Sequence, residues 1–104
     1  MNYETPRNHE RVPISLEVEW EGRAGKYEAR MSDLSLGGCY IDTIGEASVG
    51  DLVHFKVRLP AGHWLRLSGV VVHVEERVGI GLRFPEFSEG YTKLLKQLIE
   101  SQQP

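Results

Sequence analysis

Two stretches of this 104-residue chain alternate strictly between apolar and polar residues. In the first, Val12, Ile14, Leu16, Val18 and Trp20 are separated by Pro13, Ser15, Glu17 and Glu19. In the second, Val53, Phe55, Val57 and Leu59 are separated by His54, Lys56 and Arg58. A period of two places all the apolar side chains on one face of an extended strand, whereas a helix would scatter them around its axis. Each stretch must therefore cover a core with one face and meet water with the other. Pro13, on the outward side near the start of its strand, suits that position.

Between and after these stretches, turn residues punctuate shorter extended segments. Glu21 to Gly25 reads as a turn and Lys26 to Met31 as the returning strand. Ser32 to Gly38 reads as a turn or bulge, and Cys39 to Thr43 as a short strand. After Pro60-Ala61-Gly62, Leu65 and Leu67 have one parity and Val70, Val72 and Val74 the other. A one-residue bulge near Gly69 would bring all five to one face. Ile80 to Phe84 is a last strand, stopped by Pro85. Tyr91, Leu94, Leu95, Leu98 and Ile99 then follow helical spacing, with Ser88 placed as an N-cap. Six short strands with short connections favour antiparallel pairing and closure into a barrel. The expected architecture is all-β with one C-terminal helix, a six-stranded antiparallel, closed or split β-barrel. Residues 1–11 are expected to form a flexible N-terminal arm, and residues 12–104 the barrel with a helix over about 88–102.

The chain length suits one domain and is sufficient for a core without disulfides. Cys39 is the only cysteine, which points to a reducing, cytoplasmic setting. The sequence has no run apolar enough to cross a membrane as a helix, and its N-terminus lacks signal-peptide character. Lys and Arg total 12 against 15 Asp and Glu, for a formal net charge of −3. That balance disfavours general binding of nucleic-acid polymers, which calls for a basic surface.

Chemistry concentrates in two motifs, Arg7-Asn-His-Glu-Arg11 and Asp33-Leu-Ser35-Leu-Gly-Gly38. A guanidinium fork can hold a phosphate bidentately, grip the O6/N7 edge of guanine, or stack on a base. The carboxylate of Asp33 can accept from guanine N1–H and N2–H. The Ser35 hydroxyl can donate to a phosphate oxygen or tie down its own turn, and Gly38 can take a positive φ or let a ligand approach the backbone. Each motif alone also fits a plainer reading: two solvated arginines in a leader, or an ordinary Asp/Ser/Gly turn.

Taken together, an RxxxR motif, a DxSxxG motif and the segment Val78-Gly-Ile-Gly-Leu-Arg-Phe84 resemble a PilZ domain over about Arg7 to Ile99. The resemblance implies a PilZ-like barrel with a C-terminal helix, and binding of the bacterial second messenger cyclic di-GMP. It implies that Arg7 and Arg11 grip phosphates and guanine edges, that Asp33 and Ser35 bond a guanine, and that Gly38 keeps the turn open. His73 lies where the family often places an aromatic or basic side chain near the ligand, and its parity points it outward. Pro6, just before the first motif arginine, offers no extra guanidinium contact and favours one ligand molecule. Glu10 would weaken affinity if it faced the phosphates. The arm is expected to close over the ligand and an unidentified effector protein to carry the signal.

Other residues suggest no chemistry. His54, His63, His73 and Cys39 lack the close pairing of metal ligands, so neither a metal nor a cofactor is expected. His9 reads as solvated, Cys39 and Trp20 as core, and Trp64 as half-exposed. Two alternatives stand beside the receptor reading: a protein-interaction adaptor of the same fold with weak or no nucleotide binding, and an oligonucleotide-binding barrel. No constellation of acid, base or nucleophile suggests an enzyme.

Overall fold

The computed structural model describes residues 11–85 and 89–101. Six strands precede one helix: β1 (Val12–Gly22), β2 (Gly25–Leu34), β3 (Gly38–Asp42), β4 (Leu52–Arg58), β5 (Trp64–Glu75), β6 (Gly79–Arg83) and α1 (Glu89–Ser101). The strands form a closed antiparallel barrel in the order β1-β2-β3-β6-β5-β4, with β4 returning to β1. The architecture expected from the alternation is therefore the one observed.

The alternation also selects the core. Val18, Trp20, Met31, Ile41, Phe55, Val57, Val71, Ile80 and Leu82 all point inward and are buried. Burying one such side chain stabilises by about 1.5–3 kcal/mol, which is what holds so short a chain closed. Trp20 keeps its polar atom satisfied by donating from Nε1 to Thr43 Oγ1 at 3.0 Å, and its ring stacks on Tyr27 with centroids 5.2 Å apart. Leu95, Leu98 and Ile99 of α1, spaced i, i+3 and i+4, join the same core, and Phe84 stacks on Phe55 at 6.5 Å. Leu94 is half-buried and Tyr91 exposed, so only the later part of the apolar stripe is fully buried. The N-cap expected at Ser88 lies outside the described residues.

Two local expectations are corrected. The strand expected over Lys26 to Met31 runs on to Leu34, so Asp33 is a ladder residue rather than a turn residue. No bulge occurs at Gly69. Leu67, Gly69 and Val71 are buried in unbroken alternation, and the register slips between Val71 and His73 instead. A Cβ on Gly69 would lie 3.1 Å from Leu82 Cβ and 3.2 Å from Arg83 O. The glycine thus occupies an inward slot too tight for a side chain. Register shifts also occur near Ile14 in β1 and at Ser32 between β2 and β3. Such bulges add the twist and coiling that closing a small barrel requires.

Candidate functional site

Directly opposed residues of an antiparallel pair share a face. Following the register around the barrel gives one transverse row: Pro13 opposite Asp33, Asp33 opposite Tyr40, Tyr40 opposite Gly81, and Gly81 opposite His73. The row lies on the outside, because the flanking residues Leu34, Cys39, Ile41, Ile80 and Leu82 fill the core. A second row follows beside it: Arg30, Asp42, Gly79 and Glu75.

Arg11 immediately precedes β1 and reaches the head of the first row. Its Nη2 donates to Asp33 Oδ1 at 2.8 Å, with the two side chains 26% and 33% exposed. Twenty-two residues apart in sequence, the two motifs thus meet in one charge-assisted hydrogen bond. A guanidinium carries five donors and a carboxylate about four acceptor sites, so each group can serve more than one partner. The pair offers donors and acceptors side by side, which is what the edge of a guanine presents in return.

The rest of the second motif works behind that surface. Ser35 is 1% exposed. Its hydroxyl oxygen accepts from the N–H groups of Gly37 (3.0 Å) and Gly38 (3.1 Å), and its backbone N–H donates to Gly38 O at 2.8 Å. The turn is fastened to the strand end beyond β6 by Phe84 N–H donating to Gly37 O at 2.8 Å. Gly38 does not have the positive φ that a tight turn could demand; Gly25, Gly50 and Gly62 do. Gly38 is required for a different reason: a Cβ there would sit 2.1 Å from Leu82 O of the neighbouring strand. Of the three second-motif residues, Asp33 is the one whose side chain stands on the outer face. Ser35 and Gly38 set the path of the chain that carries it.

At the other end of the row, His73 is outward as its parity requires. Its Nε2 lies 3.8 Å from Glu75 Oε1, the same oxygen that accepts from the Tyr40 hydroxyl. Tyr40 and Glu75 were not singled out by the sequence motifs. Tyr40 was nonetheless legible as the outward residue between two core residues, Cys39 and Ile41, immediately after the second motif. Its ring leans over Gly79, where a Cβ would come within 2.5 Å of Tyr40 Cε2. The small residue lets an aromatic ring lie along the barrel wall with its hydroxyl anchored. The arrangement is a fixed aromatic surface between a carboxylate–guanidinium pair and an imidazole.

Arg7, His9, Glu10 and Pro6 lie outside the described residues. Cys39 is fully buried in the core beneath the row. Burial pushes its thiol well above the ordinary range, the charge of Asp33 pushes the same way, and Arg11 partly opposes. A thiol so held is a packing residue, not a nucleophile. Among the described residues no three His, Cys, Asp or Glu side chains group as metal ligands, and no helix is long and apolar enough to cross a membrane.

The family model of the PilZ domain matches residues 5–101, which takes in both motifs, the barrel and the helix. The chain belongs to the PilZ family. Solved structures share its fold at low sequence identity. The PilZ domain of YcgR from Escherichia coli, solved with c-di-GMP, is 17% identical with a TM-score of 0.76, covering 94% of this chain and 92% of that one. The Bacillus subtilis inhibitor of motility, MotI/DgrA, is 18% identical with a TM-score of 0.76; 94% of this chain is covered, and it spans about half (51%) of MotI. PlzA from Borreliella burgdorferi, in complex with c-di-GMP, is 18% identical with a TM-score of 0.67, covering 91% of this chain and 41% of that one. A comparison with curated proteins finds no match.

Proposed function

We propose that this PilZ chain is a cyclic di-GMP receptor whose ligand lies on the outer barrel face along the Asp33–Tyr40–His73 row. The observation that carries the reading is the 2.8 Å bond between Arg11 and Asp33, which unites the two motifs at the head of that row. Fold neighbours solved with c-di-GMP support the choice of ligand.

In this reading Asp33 accepts from guanine N1–H and N2–H while Arg11 turns its remaining donors to the guanine edge or a phosphate. Tyr40 supplies a ring face for a base, and His73 borders the ligand at the far end. Ser35 and Gly38 hold Asp33 in place through the turn. The N-terminal arm brings Arg7 to the second phosphate and closes over the ligand. Each residue that the ligand orders costs about 1–2 kcal/mol of conformational entropy. Charge-assisted hydrogen bonds at about 1.5–3 kcal/mol each offset it. Ligand binding therefore alters the surface at the arm more than the barrel, and an effector protein reads that surface.

Titration calorimetry with cyclic di-GMP tests the proposal. Saturable binding with one molecule per chain is expected, one rather than two because Pro6 adds no third guanidinium. Absence of both heat and any rise in melting temperature at saturating ligand would refute the receptor reading; two molecules per chain would refute the argument from Pro6 alone.

A further inference from the structure

The β1–β4 seam lies across the closed barrel from the β3–β6 seam that carries the row above. Its outer face has an unusual charge pattern. Glu19 stands opposite Glu28 of β2, and Lys56 of β4 stands opposite Arg66 of β5. Like charges directly opposed across strands destabilise a sheet. Here two such pairs lie side by side in one row: Glu28, Glu19, Lys56, Arg66. The seam itself is bridged by Lys56 Nζ to Glu19 Oε1 at 3.4 Å. Among the described residues Glu28 and Arg66, both exposed, enter no ion pair.

The adjacent row has the same symmetry of character. It reads Arg30, Glu17, Arg58, Trp64, with Glu17 and Arg58 joined at 3.4 Å and Trp64 38% exposed. Lys56 and Arg58 lie over the Trp64 ring at 4.9 and 5.9 Å. One step further along β1 and β4 come Glu21 and His54. The β1 side of the seam is thus acidic, the β4 side basic. A partner of a single charge sign would meet repulsion from one half of this face. A second copy of the same chain need not.

We infer that this face is a self-association surface that pairs two copies of the chain about a two-fold axis running along the β1–β4 seam. Such an axis exchanges left for right across the seam while keeping each row in register. It lays Glu19 of each copy over Lys56 of the other, Glu17 over Arg58, and Glu21 over His54. It also lays Glu28 over Arg66, giving each the opposite charge that it lacks among the described residues of its own chain. An isologous interface must be complementary to itself, and the row Glu28, Glu19, Lys56, Arg66 meets that demand at all four positions. A hollow of about 340 Å³ on the same face, lined by Glu17, Glu19, Glu28, Arg30 and Trp64, leaves room for long side chains from the opposite copy.

The footprint is small. Four strands about 4.8 Å apart by three outward residues per strand cover roughly 400 Å² per copy. That is at the weak end of specific interfaces, so the dimer forms at high concentration and weakens as salt screens it.

Two single variants test this without disturbing an intrachain ion pair: Arg66→Glu and Glu28→Arg. Each removes one of the like-charge pairs, so each should leave the melting temperature unchanged or raised. Each alone places like charges across the axis twice, and should weaken self-association by about tenfold or more. Mixed together they restore opposite charges at both positions, and a heterodimer should form as tightly as the wild type. Sedimentation equilibrium of wild type, each variant and their mixture, over a concentration series into the millimolar range at low and high salt, reads all of these. A wild type that is monomeric throughout at low salt overturns the inference. So does dimerisation that both variants leave intact, and so does a mixture that fails to recover what each variant lost.

Discussion

Replacing Asp33 with alanine should separate binding from folding more cleanly than any other substitution at the site. Among the described residues of the free protein, Asp33 makes one ion pair, with Arg11, and both side chains are about a quarter to a third exposed. A partly solvated pair of this kind contributes about 0–1 kcal/mol. Its loss should lower the melting temperature of a domain this size by no more than about 4–8 °C. In the complex the same carboxylate accepts from two guanine N–H groups while still orienting Arg11. Charged hydrogen bonds contribute about 1.5–3 kcal/mol each. Two of them would give about 3–6 kcal/mol; because water reaches a third-exposed carboxylate and replaces part of what is lost, about 2–4 kcal/mol is the better expectation. That corresponds to about 30- to 1,000-fold weaker binding. Calorimetry with cyclic di-GMP supplies the Kd and a thermal melt supplies the stability. Asp33→Asn sharpens the test: it keeps the shape but turns an N–H₂ donor toward a guanine donor, so it should bind no better than alanine. An Asp33→Ala variant that binds cyclic di-GMP within a few-fold of wild type, while the wild type binds well, would refute the assignment of Asp33 as the guanine reader. A variant that fails to fold would refute the claim that the carboxylate stands on the barrel surface and not within its framework.

Tyr40→Ala should weaken ligand binding by about 1–3 kcal/mol, the usual contribution of an aromatic ring under a base, whereas Tyr40→Phe keeps the ring and should cost less; the same calorimetric titration reads both. Ser35→Ala should destabilise the fold by about 2–4 kcal/mol, because the Gly37 and Gly38 N–H groups lose their acceptor in a buried turn, and denaturant unfolding measures it. Cys39 should resist thiol reagents until the protein unfolds. Its thiol is held above the ordinary value of 9.0 by burial, so the folded state keeps a proton that the unfolded state releases. The associated stability is complete below about pH 9 and declines as pH rises beyond it, which a series of melts across that range would register.

Much of the fold was legible because a strand half-buried against a core writes its period directly into the chain. Val12 to Trp20 and Val53 to Leu59 needed nothing further, and Leu95, Leu98 and Ile99 declared a helix in the same way. The misreadings have specific causes. Gly69 carries no hydropathy signal, so an inward position vacated for Leu82 and Arg83 resembled a bulge. The last turn of β2 holds Ser32 and Asp33, polar residues whose composition suggests a loop; they are strand because β1 and β3 pair with them on both sides. The motif residues were readable as residue types, but not in their division of labour. Ser35 was open to two readings, a ligand donor or a tie within its own turn, and in the free protein its hydroxyl holds the turn while Gly38 makes space beside β6. Tyr40 and Glu75 come from strands 35 residues apart, and no local pattern joins them.

The division follows from the range of the forces. Periodicity, turn chemistry and the two arginine and aspartate motifs are local properties of the chain, so the sequence by itself determined the barrel, its helix and the family to which it belongs. The meeting of Arg11 with Asp33, the row that runs on through Tyr40 to His73, and the acidic and basic halves of the β1–β4 seam depend on strand register. Register is settled only when the barrel closes, because a shift of one residue moves every side chain to the opposite face. What the protein presents to a ligand or to a second copy of itself was therefore decided by the tertiary structure.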